Sequence, residues 1–369
     1  MTDFLEYVKW RADLPLFVDS LNEIDLYILC KFGCLYLSNI MNSSDVITIH
    51  DVFDAYKEYL SGQSLEENLG PLASPALVTL LKKIPYTKRY GDLQLKEYIL
   101  ATNEETSMVF SALTILLPGN ISYITFRGTG DTIASWKEDF LLSVEDEIPA
   151  QKEAVEYLNF VAQKCTDSLI IGGHSKGGNL AVYASLETKQ EIKNRIIGVY
   201  NFDGPGFRQD IEELPEFQYI RPILHTYMAQ HAIVGRLLNQ VSNRIIVESA
   251  EPGLLAHDGL NWDIEVTKFK RAENYSTASD AIAAAFKETL ENMSKQEQMD
   301  FIKEFFSILT CTGATTLSDL TEHRVLQVIE ISTAMRRSPK VISFIRSLAS
   351  IIFHETVSSI SPLDGIINK

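Results

Sequence analysis

The fold of this chain can be inferred from the segment IIGGHSKGGNLAVYASL, which runs from Ile170 to Leu186. An apolar run leads into two glycines, a histidine, Ser175 and two more glycines, and an alanine-rich segment follows. The apolar run is typical of a buried strand, and the alanine-rich segment is typical of a helix. Gly173, Ser175 and Gly177 therefore form a Gly-x-Ser-x-Gly element at a predicted strand-to-helix turn, which is the context of a nucleophile elbow.

The glycines follow from the steric demands of such a turn. A sharp turn forces the serine into strained backbone angles and brings neighbouring backbone close, so side chains two positions away would collide. The turn exposes the hydroxyl, and the helix start offers free N–H groups to a developing oxyanion. Alternatively, Gly177 and Gly178 serve only helix–sheet packing or cradle a phosphate, but the chain has neither of the usual glycine-rich phosphate motifs.

Composition limits the class of protein. The chain has 369 residues, 46% hydrophobic and 22% charged, which is ordinary for a globular protein. Its formal net charge of -16 argues against nucleic acid as a partner and disfavours docking by charge on anionic membranes. No apolar run is long enough to span a bilayer, and the N-terminus lacks the apolar region of a signal peptide. The four cysteines lack disulfide or zinc spacing, so we expect buried free thiols and a cytoplasmic location.

The chain divides into three predicted regions. Residues 1–90 are predicted to be mainly helical, with Ser74 as the N-cap of one helix. Residues 91–270 alternate strands and helices, which favours an α/β sheet with an antiparallel start and a largely parallel remainder. Residues 271–369 return to helical patterns, with amphipathic stretches at 279–293 and 338–357. Such stretches are more typical of packing on the protein's own core than of contact with a membrane or a partner.

Two further motifs carry a family resemblance. FRGT, from Phe126 to Thr129, is followed by a tryptophan and an aspartate, and a His-Asp pair precedes Trp262. Together with GHSKGGNLAVYA, these motifs resemble the class 3 lipases and, more closely, an uncharacterised bacterial branch of α/β-hydrolases related to them. The resemblance covers residues 20–270 and is absent or weak beyond. It implies an α/β-hydrolase fold, with a mostly parallel central sheet and helices on both faces, and a lipase-like activity on carboxylic esters.

Two backbone groups are candidates for an oxyanion hole. In a nucleophile elbow the first donor is the N–H of the next residue, here Lys176. The resemblance implies that Thr129, the residue after FRG, supplies the second donor. We expect the Lys176 side chain to be solvated, with contact to an anionic substrate group as the alternative. We also expect Arg127 to form a buried pair with Asp139 rather than to touch substrate.

A serine nucleophile needs a base, usually histidine. Of the seven histidines, His257 follows a predicted strand, and the chain order serine, acid, histidine of this fold places the base there. The resemblance indicates the same residue, and the alternative is a histidine in a surface loop. His174 adjoins Ser175, and we expect its side chain to point away from the hydroxyl.

The acid is the least determined member of the predicted triad. The stretch 217–247, where the acid usually lies, contains no Asp or Glu, a departure from the class 3 lipase pattern. Asp203 stands at the carboxyl end of the preceding predicted strand, where catalytic groups collect. Alternatively it is only a turn residue, since Asp-Gly is a common turn pair. Asp258 is disfavoured because it directly follows the predicted base, and Gln230 or His231 would make a relay without a carboxylate.

The sequence thus predicts a serine hydrolase in which Ser175 attacks an ester carbonyl, with His257 as the base and Asp203 as its partner. Such a reaction needs neither a metal nor a cofactor. The resemblance implies a lipid or lysophospholipid ester, and a thioester or an amide is an alternative because the same machinery serves all three. The competing hypothesis is a non-catalytic, hydrolase-like scaffold for binding or assembly, motivated by the empty acid position and the long helical regions.

Overall fold

An eight-stranded sheet forms the centre of the structure, a computed structural model that describes residues 3–65, 74–291 and 293–316 with positions 69, 319 and 342. The strands lie in chain order across the sheet. A separate two-stranded ribbon follows the sheet in the chain. The strands are β1 (Val46–Thr48), β2 (Gln94–Asn103), β3 (Met108–Leu117), β4 (Ile121–Phe126), β5 (Ser168–His174), β6 (Ile196–Phe202), β7 (Leu224–Ala229), β8 (Arg244–Val247), β9 (Ile264–Glu265) and β10 (Lys268–Phe269).

The sheet is antiparallel from β1 to β4 and parallel from β4 to β8. Parallel neighbours need crossover connections, which helices supply in part. The predicted antiparallel start and parallel remainder are therefore confirmed. The helices of the described residues are α1 (Phe4–Arg11), α2 (Glu23–Phe32), α3 (Ile49–Leu60), α4 (Pro75–Lys83), α5 (Ile133–Leu141), α6 (Pro149–Lys164), α7 (Lys176–Glu187), α8 (Gln190–Lys193), α9 (Phe217–Ile220), α10 (Thr277–Glu291) and α11 (Lys295–Thr310).

Each face of the sheet carries its own hydrophobic core. Successive residues of a strand point to opposite faces. Tyr123 and Ile170 accordingly join a core with the N-terminal helices, while Ile124 and Ile171 join a second core with α6 and α7. Both faces of β5 are therefore covered, which explains its almost unbroken apolar sequence. A mostly parallel sheet with helices on both faces, and a strand-to-helix turn after β5, is the α/β-hydrolase fold that the sequence predicts.

The N-terminal helices pack on one face of this sheet, and one of them begins at the N-cap that the sequence predicts. The Ser74 side chain accepts a hydrogen bond of 3.2 Å from the Leu77 backbone N–H, as expected of an N-cap. The short strand β1 lies within the region predicted as helical and pairs with β2. Three residues are too few to show a strand's alternation, which is why the sequence pattern missed it. The divisions at residues 90 and 270 stay predictions.

The C-terminal helix α11 packs on α5 through aromatic rings. Phe140 lies 5.7 Å from Phe305 and 5.3 Å from Phe306, measured between ring centroids. The predicted helical stretch at 338–357 lies outside the described residues, position 342 apart. Within the part of the chain that the structure describes, no helix has both the length and the apolar character to cross a membrane.

The four cysteines are free, but they differ in burial. Cys30 is buried as predicted, Cys34 and Cys165 are half-buried, and Cys311 is exposed. The expectation of buried thiols is therefore wrong for Cys311, which lies just after the end of α11. The cytoplasmic location stays a prediction.

Candidate active site

Ser175 occupies the turn between β5 and α7 in a strained conformation. Its φ of 59° and ψ of -134° lie where side chains are disfavoured, at a cost of about 1–3 kcal/mol. Two glycines make the turn possible. A Cβ on Gly173 would lie 2.3 Å from the backbone of Gly177, and a Cβ on Gly177 would lie 2.1 Å from the carbonyl oxygen of Phe126. The half-buried Ser175 thus stands clear of the sheet on a turn that tolerates no side chain at either position.

The loop after β4 lies directly against this turn. A Cβ on Gly128 would lie 2.7 Å from the carbonyl oxygen of His174 and 3.2 Å from the Cβ of Ser175. Thr129 follows Gly128, and Lys176 follows Ser175. Within the described residues, neither the backbone N–H of Thr129 nor that of Lys176 has an acceptor. Two free donors therefore lie close to the serine, as an oxyanion hole requires.

Carboxylates of α5 contact the side chains of both residues whose N–H groups are candidate oxyanion donors. The Lys176 ammonium lies 2.9 Å from Glu138 Oε2 and 3.6 Å from Asp139 Oδ1, and its side chain is only 1% exposed. The Thr129 hydroxyl donates a hydrogen bond to Asp139 Oδ2. The expectation of a solvated lysine is therefore wrong, because α5 covers this side chain and pairs its charge. The alternative contact with a substrate group is excluded in this structure for the same reason.

Asp139 pairs with these two residues and not with Arg127. The Arg127 guanidinium instead stacks on the Tyr36 ring, 3.7 Å from its centroid. Burial raises the pKa of Asp139 to about 6, against the opposing effects of Lys176 and the hydrogen bond from Thr129. The expected Arg127–Asp139 pair is wrong because Thr129 and Lys176 already occupy this carboxylate.

Asp203 and His257 are joined by a hydrogen bond. Asp203 follows β6 with a φ of 52°, is fully buried, and donates its backbone N–H to the carbonyl of Tyr227 at 2.8 Å. Its Oδ2 lies 2.7 Å from Nδ1 of His257. Its Oδ1 has no hydrogen-bond partner within the described residues. This oxygen faces Gly235, and a Cβ atom added to Gly235 would lie 2.2 Å from it. A carboxylate in this position holds the imidazole proton on Nδ1 and leaves Nε2 free to accept another.

His257 lies beside the strand-to-helix turn. It ends the 3-10 helix Gly253–His257, its side chain is 20% exposed, and its ring lies 4.7 Å from that of His174 between centroids. No hydrogen bond joins Ser175 Oγ to this ring, both residues being among those described. Catalytic hydrogen bonds are often long without substrate and tighten only in the complex, so the arrangement is compatible with a triad.

The residues considered as alternative partners of His257 do not contact its Nδ1 atom. Asp258 turns toward Lys31, 3.1 Å from its ammonium, and accepts a hydrogen bond of 2.9 Å from Ser74. Gln230 and His231 make no hydrogen bond to the His257 ring in the described part of the chain. These partners of Asp258 could not be predicted from the sequence, because they lie far away along the chain.

A family model and two solved structures are similar to this chain. The Mbeg1-like family model matches residues 84–307, a range that contains all five candidate site residues. No curated protein matches the sequence. Among solved structures, M37 lipase has 13% identity and a TM-score of 0.38, covering 76% of this chain and 85% of the lipase. A deletion mutant of Rhizomucor miehei lipase, in its propeptide complex, has 15% identity and a TM-score of 0.34, covering 70% of this chain and 91% of that chain.

Proposed function

Since the chain belongs to the Mbeg1-like family, we propose from the residues of its own site that it is a serine hydrolase acting on carboxylic esters. The observation that carries the proposal is the 2.7 Å contact between Asp203 and His257, at the edge of the sheet where the turn presents Ser175. A buried carboxylate that fixes an imidazole beside a strained, accessible serine is the arrangement of a catalytic triad. The motif resemblance to class 3 lipases extends the proposed substrates to lipid and lysophospholipid esters.

In the proposed reaction, Ser175 Oγ attacks the ester carbonyl carbon and passes its proton to Nε2 of His257. The negative charge on Asp203 stabilises the imidazolium that forms. The carbonyl oxygen becomes an oxyanion, which the N–H groups of Lys176 and Thr129 bind. Each such donor contributes about 3–4 kcal/mol to the stability of the transition state.

The intermediate then collapses to an acyl-enzyme. The C–O bond to the alcohol breaks, and the alcohol leaves with the proton from His257. A water molecule repeats the attack on the acyl group, with His257 again as the base, and releases the acid. The ion pair of Lys176 with Glu138 and the bond from Thr129 to Asp139 keep the two oxyanion donors in place through both steps.

A fluorophosphonate probe tests the proposal directly. Ser175 Oγ attacks phosphorus, fluoride leaves, and a stable phosphonate ester remains on the serine. We expect one adduct per chain by intact mass, located by peptide mapping to the peptide that contains Ser175, and no adduct on heat-denatured protein. Folded protein that stays unlabelled would contradict the hydrolase and favour the non-catalytic scaffold.

Asp203→Asn tests the role of the acid. The amide keeps the shape of the side chain but can donate to Nδ1, which places the imidazole proton on the wrong nitrogen. We expect kcat for a p-nitrophenyl ester to fall by about 10⁴-fold at neutral pH with the fold retained. Asp146→Asn, which changes an exposed carboxylate that pairs with Arg208 and does not contact the ring, is the comparison and should lose far less. Full activity in Asp203→Asn would remove Asp203 from the mechanism.

A further inference from the structure

A line of buried polar contacts links the N-terminal helix α2 to the turn that carries His257. The ammonium of Lys31, on α2, lies 3.4 Å from Nδ1 of His174. On the other side of the ring, Nε2 of His174 lies 2.6 Å from the backbone carbonyl oxygen of His257. The Lys31 side chain is only 7% exposed, so these contacts are shielded from water. His174 thus connects a distant helix to the main chain of the candidate base.

A second contact ties the same turn to the same lysine. Lys31 Nζ lies 3.1 Å from Oδ1 of Asp258, the residue after His257. Asp258 also accepts hydrogen bonds from Tyr27 at 3.3 Å and from Ser74 at 2.9 Å. The peptide group between positions 257 and 258 is therefore held from both sides. We call Lys31, His174 and Asp258 together the clamp.

The charges of the clamp determine where the His174 proton lies. An ammonium can only donate, so Lys31 makes Nδ1 the acceptor, and the single ring proton sits on Nε2, where it donates to the His257 carbonyl. Burial, together with the positive charge of Lys31, lowers the pKa of His174 well below its usual range, which keeps the ring neutral. Although burial opposes ionisation, Lys31 holds the pKa of Asp258 below its usual range, so this pair stays charged.

We propose that Lys31 and His174 are positioning residues that hold the His257 ring beside Ser175, so that the N-terminal helices complete the active site. Lys31 lies outside residues 84–307, the part of the chain that matches the family model. The inference rests on the proposed hydrolase function and adds a requirement to it. A shift of a catalytic group by about 1 Å is enough to cost about 100-fold in rate, so a clamp on its main chain matters for turnover.

Two substitutions of His174 separate positioning from bulk. His174→Gln keeps an N–H donor near the place of Nε2, whereas His174→Met fills the space without one. We expect His174→Met to lower kcat for a p-nitrophenyl ester by about 10–100-fold with KM unchanged, and His174→Gln to stay within about fivefold of the wild type. Both rates are divided by the fraction of chains that a fluorophosphonate labels to completion, so that misfolded protein does not count.

A third variant removes the charges without leaving one unpaired. Lys31→Met alone would strand a buried carboxylate and unfold part of the protein. The double variant Lys31→Met with Asp258→Asn avoids this, and we expect the same loss in kcat per labelled site as in His174→Met. Equal activity in all three variants and the wild type, or an equal fall in His174→Gln and His174→Met, would overturn the clamp and leave the hydrolase standing.

Nitrogen NMR of the full-length chain gives a readout that needs no activity. With ¹⁵N-labelled histidine, His174 should show a protonated Nε2 and an unprotonated Nδ1 in the wild type at neutral pH, because the Lys31 ammonium only donates and the His257 carbonyl only accepts. The opposite tautomer or a charged ring in the wild type would overturn the clamp. Wild-type protein with the expected tautomer but without fluorophosphonate labelling would instead overturn the hydrolase, and the positioning role with it.

Discussion

Ser175→Ala is expected to abolish ester turnover, with a fall in kcat of about 10⁶-fold, and to abolish labelling by a fluorophosphonate. The substitution removes the only atom that forms the acyl-enzyme bond and leaves the oxyanion donors, Lys176 and Thr129, in place. Residual hydrolysis would then come from water bound in a preorganised site. The measurement is p-nitrophenyl ester hydrolysis at saturating substrate, with intact mass after incubation with the probe.

The loss in Ser175→Ala should not come from unfolding. The Ser175 hydroxyl makes no hydrogen bond within the described residues, so its removal leaves no buried partner unsatisfied. Alanine keeps the Cβ atom and hence the strain at a φ of 59°, so we expect a melting temperature within about 3 °C of the wild type.

Ser185→Ala is the matched control for this substitution. Ser185 lies on α7, the helix that follows Ser175, and its buried hydroxyl donates to the carbonyl of Ala181 at 2.7 Å. The Ser185→Ala variant also loses one hydroxyl group, but away from the turn, so it should keep wild-type turnover. Turnover by Ser175→Ala within tenfold of the wild type would require a different nucleophile and would contradict the proposed role of Ser175.

The parts of the fold that depend on local patterns could be predicted from the sequence. The unbroken apolar run before Ser175 becomes β5, and the Pro-Gly-Asn segment becomes the tight turn between β3 and β4, with positive φ at Gly119 and Asn120. Both signals act between neighbours in the chain, where side-chain periodicity and turn stereochemistry are decisive. Asp203 could be identified as a candidate for a similar reason, because the strand pattern of the sequence places it at the end of β6.

The contacts that depend on packing could not be predicted in this way. Lys176 is next to Ser175 in the chain, yet its burial is decided by α5, which covers it and supplies Glu138. The contact of Lys31 with His174 spans 143 positions and leaves no trace in either local pattern. From the sequence alone, charged residues of this kind are predicted to be solvated, because their partners are distant in the chain and meet them only in the folded structure. This is why the sequence predicts a chemical site but not the groups that hold it.

His257→Ala has the second large expected effect. Without the imidazole, no group takes the proton from Ser175, and we expect kcat to fall by about 10⁶-fold, close to the effect of the serine substitution, because the two residues act as a unit. His225→Ala is the matched control. His225 lies near the amino end of β7, the edge of the sheet opposite to the site, and its ring stacks on Tyr200, so its loss should spare turnover.

Rescue by a small molecule separates the loss of a base from the loss of a structure. His257→Ala leaves a space beside the buried carboxylate of Asp203, which faces it with Oδ2. Added imidazole can enter this space, accept the serine proton and donate to the carboxylate, so it should restore part of the turnover in a saturable manner. It should do nothing for Ser175→Ala, in which the base is intact and the nucleophile is missing. If His257→Ala keeps a tenth or more of wild-type turnover without imidazole, another group serves as the base, and the Asp203–His257 contact is then structural only.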